Sequence, residues 1–264
     1  MEVHETDFIE AGSGEKVILI HSSVAGAKQW RSLMDALAGD FHVIAVNLFG
    51  YGKTRPWNEK GNLQRLEDQA RLIEPFLHTD GKQISIVGHS FGGSVAMKAA
   101  ALFKDYVKRL VLIEPNPFYL LHKHGRTAAY GEAVALRDLI KEHGKAGSWE
   151  IAAEKFADYW TGAGSWSAMP EERKEKFSHA LKPNFHEWDA VMNEETSLLE
   201  WERDLPRETT VISAADTVKS IDEIYKLLSE SISGWKFERI DKGGHMAIMS
   251  KPDQVNPMVI AALN

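Results

Sequence analysis

A serine, a histidine and two candidate carboxylates, the side chains that together can activate a hydroxyl, each follow an apolar run in this 264-residue chain. Ser90 stands in IVGHSFGGS, Ile86–Ser94, with Gly88, Gly92 and Gly93 around it. A serine hydroxyl is a weak nucleophile until a base takes its proton and an acid orients that base. Gly-x-Ser-x-Gly alone arises by chance in about one chain in ten of this length, so its partners decide its meaning. His245 closes Asp241-Lys242-Gly243-Gly244-His245, a glycine-rich loop after a late apolar run, and is the candidate base. Asp216, after Ser213-Ala214-Ala215, is the favoured orienting acid, with Glu114 at the end of Arg109–Ile113 as its rival. Asp241 reads as a solvated loop residue. His21 and His89 flank strand ends and read as structural hydrogen-bonding groups. His122 and His124 have no third ligand in sight, so no metal site is expected.

These residues need elements to hold them. Val17–Ile20, His42–Val46, Ile84–Val87 and Arg109–Ile113 read as buried strands, each closed by a turn signal. Helical spacing fills the intervals at Gln29–Leu37, Leu63–Leu77 and Ser94–Phe103. Such alternation predicts right-handed crossovers and a parallel sheet covered on both faces. Later come strands at Thr210–Ser213 and Lys236–Ile240, with helices at Ile221–Ser229 and Asp253–Leu263. Ser90 then sits on a strand-to-helix turn, and Ser90, Asp216 and His245 come in the chain order expected of a nucleophile elbow in such a sheet. The Phe91 N–H, at the helix start, faces a developing oxyanion. A second donor is expected from His21-Ser22-Ser23-Val24-Ala25-Gly26, assigned to Ser23 with Ser22 as the near alternative.

Between Pro117 and Pro206 the alternation stops. Helical stretches are predicted around Ala133–Glu142, Trp149–Trp160, Glu171–Ala180 and Phe185–Leu199. The chain therefore divides into a core of residues 1–116 and 206–264 and a helical lid of residues 117–205. Most aromatic residues of that lid should pack it onto the sheet. Trp160 and Trp166 flank the TGAGSW loop and are the candidate pocket walls; a substrate carboxylate could meet His186 or Arg126.

Composition narrows the function classes. A formal net charge of −7, with no basic cluster, argues against a nucleic-acid partner. Zero cysteines remove disulfides, thiolate metal sites and cysteine nucleophiles. The acidic start MEVHETDFIE has no signal-peptide core, and no apolar run nears the roughly 20 residues of a membrane helix. A cytoplasmic location is the default expectation, with a small molecule as partner and no membrane association.

Taken together, GSGEKVILIH, VIAVNLFGYGKT, GHSFGG, ISAAD and GGH resemble the α/β-hydrolase-fold serine hydrolases over nearly the whole chain. The resemblance implies an α/β fold, hydrolysis of esters, lactones, amides or the carbon–carbon bonds of diketones, no cofactor, and a lid that shapes the pocket. Relatives that cleave haloalkanes or epoxides carry Asp where this chain has Ser90, so acyl transfer to serine leads. The chain departs from the family pattern at Ser22 (usually Gly), at Asn47 (usually Asp) and at Ser213 (commonly Gly). In some relatives the acid occupies the position of Glu114. The leading expectation is cleavage of a small carboxylic ester or lactone. A C–C hydrolase or lyase using the same triad, and a non-hydrolytic ligand-binding protein, are the alternatives.

Overall fold

The structure, a computed structural model, describes residues 6–58, 61–77 and 82–264, so the first five residues of the acidic start lie outside the described residues. The chain runs through β1 (Phe8–Ala11), β2 (Glu15–Ile20), α1 (Arg31–Leu37), β3 (Phe41–Val46) and α2 (Leu66–Ala70). It continues through β4 (Ile84–His89), α3 (Phe91–Leu102) and β5 (Val107–Ile113). The segment before the next strand is helical: α4 (Tyr119–Lys123), α5 (Thr127–Lys145), α6 (Trp149–Thr161), α7 (Glu171–Ala180), α8 (Asn184–Met192) and α9 (Leu198–Asp204). It closes with β6 (Glu208–Ala214), α10 (Lys219–Ser231), β7 (Lys236–Ile240), α11 (Ala247–Ser250) and α12 (Pro252–Leu263).

The described strands form one sheet in the order β1-β3-β2-β4-β5-β6-β7. β1 is antiparallel to β3, and every other pairing is parallel. Each parallel step needs a crossover, which places helices on both faces and buries the carboxyl-terminal halves of β2 to β6. Every residue of β4 is buried. Side chains alternate between the faces. Ile18 and Ile20 of β2 join the core half that includes Val95 of α3, whereas Val17 and Leu19 join Leu33 of α1 and Val259 of α12.

β2 lies between β3 and β4, so the direction in which the chain crosses the sheet reverses there. The loops leaving β2 and β4 diverge, and a crevice opens at their carboxyl ends. Those two loops carry Ser23 and Ser90.

Three elements differ from expectation. β1 does not read as a strand in the sequence, because it has no apolar run and exposes Phe8 on an edge. The expected helix Leu63–Leu77 is the short α2 followed by a 3-10 turn, Arg71–Phe76, that contains Pro75. A proline lacks the N–H that an α-helix would use there. The expected helix Phe185–Leu199 is cut into α8 and α9 by a capping box. In it the Ser197 hydroxyl accepts from Glu200 N at 3.3 Å, and the Glu200 carboxylate accepts from Ser197 N at 2.7 Å.

Candidate active site

Ser90 takes the turn between β4 and α3 at φ 55° and ψ −121°, a left-handed position that a non-glycine residue rarely holds. Three backbone bonds fix it. Its N–H donates to Ile113 O at 3.0 Å, and its carbonyl accepts from Gly93 N at 2.8 Å and Ser94 N at 3.2 Å. The neighbouring glycines are sterically required. A Cβ on Gly88 would strike Gly92 O, and one on Gly92 would strike the carbonyl oxygens of Ile20 and His21 at the end of β2.

His245 comes from the loop after β7 and is 3% exposed. Its Nε2 lies 2.8 Å from Ser90 Oγ, and its Nδ1 lies 3.0 Å from Glu114 Oε2. The ring is held between Trp160, at a centroid distance of 4.1 Å, and His89 at 5.1 Å. Glu114, 1% exposed, also adopts a positive φ, 49°, directly after β5. Its Oε1 accepts from Ser213 Oγ and Ala214 N, both at 2.7 Å, and its Oε2 accepts from Thr217 Oγ1 as well as from His245. Four donors converge on two oxygens, a pattern that suits an acceptor-only carboxylate.

The expected acid, Asp216, does not reach His245. Its Oδ1 accepts from Gly243 N at 2.9 Å and Gly244 N at 2.8 Å, pinning the loop that delivers His245. Burial opposes the Asp216 charge, but the bonds from Gly244 and Gly243 outweigh it and hold the carboxyl below its ordinary range. The cause is geometric. β5 is next to β4, whereas β6 is one strand further away, and the bend at Glu114 turns its side chain inward. Ser213, standing where a glycine was expected, spends its hydroxyl on Glu114.

The loop after β2 separates the two oxyanion candidates. Ser22 N and Ser22 Oγ both donate to Gln29 Oε1, at 3.2 and 2.6 Å, so the Ser22 amide is already engaged. No hydrogen bond from Ser23 N or Phe91 N is present among the described residues. The Phe91 amide is one of the first N–H groups of α3, which have no partner within the helix. His21 donates from Nδ1 to Ser22 O at 2.7 Å and accepts Leu48 N at Nε2 at 3.1 Å. That fixes a neutral tautomer, and burial lowers its pKa to about 4. His89 donates from Nε2 to His245 O at 2.9 Å; burial, then the neighbouring His245, lowers its pKa to about 3. Asn47 braces the same region, accepting Ala27 N at 2.8 Å and donating to Asp7 Oδ2 at 2.8 Å. An aspartate could not make the second bond.

A model of the alpha/beta hydrolase family matches residues 17–258. The chain belongs to that family. Among curated relatives it is similar to a 2-hydroxy-6-oxo-6-(2'-aminophenyl)hexa-2,4-dienoic acid hydrolase of Metapseudomonas resinovorans, 38% identical over 116 residues. That match covers 41% of this chain and 38% of the relative's length. Its fold is shared with a thermophilic esterase from Thermogutta terrifontis (TM-score 0.76, 19% identity, 98% of this chain and 93% of that one). It is shared too with the enol-lactonase from Burkholderia xenovorans LB400 (TM-score 0.75, 16% identity, 99% and 97%).

In this alpha/beta hydrolase a cavity of about 220 Å³ opens onto Ser90 and His245. Trp160 lines it, together with Phe156 one helical turn earlier. Phe177, Met169, Met246 and Met249 supply further apolar wall, and Arg173 is the cationic group on its lining. Trp166 is not on the lining: it is buried with its ring 6.0 Å from that of Phe177. His186 is absent as well, its ring lying 5.1 Å from Phe185, and Arg126 is engaged by Glu223 and Glu230. The residue after His186 is the one that reaches inward. Glu187, 1% exposed, borders a second space of about 10 Å³ beside Ser90 and Ser23. Burial pushes its carboxyl above the ordinary range, against bonds from Ser23, Asn184 and Tyr51 that favour the charge. Helical spacing could have paired Phe156 with Trp160 and Arg173 with Phe177; no local signal marks Glu187. Among the described residues no group of three or more His, Asp or Glu could hold a metal ion, and no helix is long and apolar enough to cross a membrane.

Proposed function

We propose that this alpha/beta hydrolase is a serine hydrolase that cleaves a small carboxylic ester or lactone through an acyl-enzyme. The observation carrying this reading is the unbroken hydrogen-bond chain from Ser90 Oγ through His245 to Glu114. His245 Nε2 takes the hydroxyl proton as Ser90 Oγ attacks the carbonyl carbon. Glu114 keeps the other ring proton on Nδ1 and stabilises the imidazolium that forms. The amides of Phe91 and Ser23 receive the oxyanion, each such donor being worth about 10²–10³ in turnover. His245 then passes its proton to the leaving oxygen; water, deprotonated by the same ring, releases the acid and restores Ser90. This sequence uses no cofactor. Helices α4–α9 serve as a lid that shapes the pocket around the acyl-enzyme and leaves room for the hydrolytic water.

Arg173 supports a second reading. Among the described residues no ion pair is present at its guanidinium, which borders the largely apolar cavity that opens onto the nucleophile. A substrate carboxylate would pair with it. The Metapseudomonas relative is named for hydrolysis of a dienoic acid, and the same triad could cleave the C–C bond of such a diketone acid. Steady-state hydrolysis of p-nitrophenyl acetate and butyrate, a γ-lactone and a carboxylate-bearing diketone distinguishes these readings. Turnover of the esters or the lactone, lost in Ser90→Ala, supports the first, and turnover of the diketone acid alone supports the second. No turnover of any of them, with ligands still raising Tm, overturns both in favour of a binding protein.

A further inference from the structure

The amide of Ser23 is held from two directions. On its N-terminal side the contacts come from the sheet domain. Gln29 Oε1 accepts from Ser22 N and Ser22 Oγ, and His21 Nδ1 donates to Ser22 O at 2.7 Å. On its C-terminal side both contacts lead to one carboxylate on α8. Ser23 Oγ donates to Glu187 Oε2, and Val24 N donates at 3.0 Å to Tyr51 OH, which donates at 2.8 Å to Glu187 Oε1. Asn184, one turn before Glu187, donates to Glu187 Oε2 at 2.9 Å and to Ser23 Oγ at 3.1 Å.

The backbone here needs such anchoring. Val24 has φ 71°, a left-handed conformation that a β-branched residue adopts only when its surroundings impose it. Freed from Tyr51 and Glu187, Val24 would relax, and the peptide carrying the Ser23 N–H would turn with it. The carboxylate sits in the inserted helices, 164 residues along the chain from Ser23.

We propose that Glu187 is a positioning residue which makes the oxyanion pocket complete only while α8 is docked on the sheet domain. This rests on the reading of Ser90 as nucleophile and of Ser23 N as oxyanion donor. Carbonyl activation is thereby coupled to closure of the helical segment, so an acyl-enzyme forms only when bulk water is excluded.

The test compares Glu187→Ala, Glu187→Gln and Tyr51→Phe with the wild type. The readouts are kcat, KM and the affinities of two inhibitors, with folding checked by Tm. One inhibitor is a boronic acid, which forms a tetrahedral adduct on the serine; the other is the product acid, which does not. E187A should lose at least about tenfold in kcat, up to the 10²–10³ that one oxyanion donor supplies, with KM changed less than about threefold. Boronate affinity should fall in proportion to kcat/KM while product affinity stays constant. E187Q keeps an acceptor oxygen and should recover at least about threefold of the loss; Y51F, which cuts only the path to Val24, should lose less than E187A in the same pattern. Should E187A fail to fold, Y51F alone decides by that pattern. Folded variants within twofold of wild type in kcat, or equal losses in boronate and product affinity, overturn the proposal while the nucleophile assignment stands. A wild type that neither turns over an ester nor binds the boronate overturns both.

Discussion

Replacing Glu114 by glutamine exchanges one of two oxygens for an amide donor at a site where only donors arrive. If the new NH₂ faces Ser213 Oγ and Ala214 N, it opposes a backbone N–H that cannot turn away. If it faces His245 instead, Thr217 Oγ1 can rotate, and the imidazole meets the amide by moving its proton from Nδ1 to Nε2. The second arrangement leaves fewer buried groups unpaired, so it should win. It is also the inactive one, because an Nε2–H cannot accept the proton of Ser90. A wrong-tautomer substitution of this kind in serine proteases costs about 10⁴ in kcat, or roughly 5.5 kcal/mol of transition-state stabilisation. Asp216→Asn keeps an oxygen for the amides of Gly243 and Gly244 and should stay within about threefold of wild type. The assay is kcat on the best ester of the panel, with Tm measured for each variant. E114Q within tenfold of wild type, or D216N falling as far as E114Q, would refute this division of labour.

Three further outcomes follow from the same contacts. Arg173→Ala should raise KM at least about tenfold for a carboxylate-bearing substrate and leave a neutral ester of equal size within twofold; equal changes for the two would remove the guanidinium from substrate recognition. Gly92→Ala drives a methyl into the carbonyl oxygens of Ile20 and His21 and should destabilise the fold by about 1–3 kcal/mol, read from urea unfolding; an unchanged midpoint would contradict the close approach. Burial lowers His21 from 6.5 to about 4 and His89 to about 3, so above pH 6.5 neither favours either state. As pH falls below 6.5 the unfolded chain takes up protons that the folded chain refuses, and stability drops towards pH 4 and below. At pH 5 the two should cost roughly 4 kcal/mol together relative to pH 7.5. Equal unfolding free energies at the two pH values would show that these rings titrate normally in the fold.

The central parallel strands were legible because each is buried on both faces and therefore reads as an apolar run. The edge strand β1 escaped, since half of it faces water and its place is set by pairing with β3 rather than by its own pattern. Ser90 and His245 were legible through glycines that a tight turn demands. The choice between Asp216 and Glu114 depended on which carboxylate bends inward, and a positive φ at a glutamate leaves no mark in sequence. Ser213 was the one available sign: a hydroxyl in place of a glycine beside the acid position signals a buried acceptor nearby, which is Glu114. The pocket wall was half legible, because Trp160 follows Phe156 at helical spacing. Trp166 turns away to pack on Phe177, which only the tertiary arrangement decides. Glu187 was invisible, since its partners Ser23 and Tyr51 are more than a hundred residues away in the chain.

That Ser90 is the nucleophile is tested most directly by the mass of the protein after reaction with a fluorophosphonate. The account predicts a single adduct in the peptide Gln83–Lys98, which contains Ser85, Ser90 and Ser94, with fragmentation placing it on Ser90 and none forming in Ser90→Ala. An unlabelled wild type, or an adduct that persists in the Ser90→Ala variant, would contradict it.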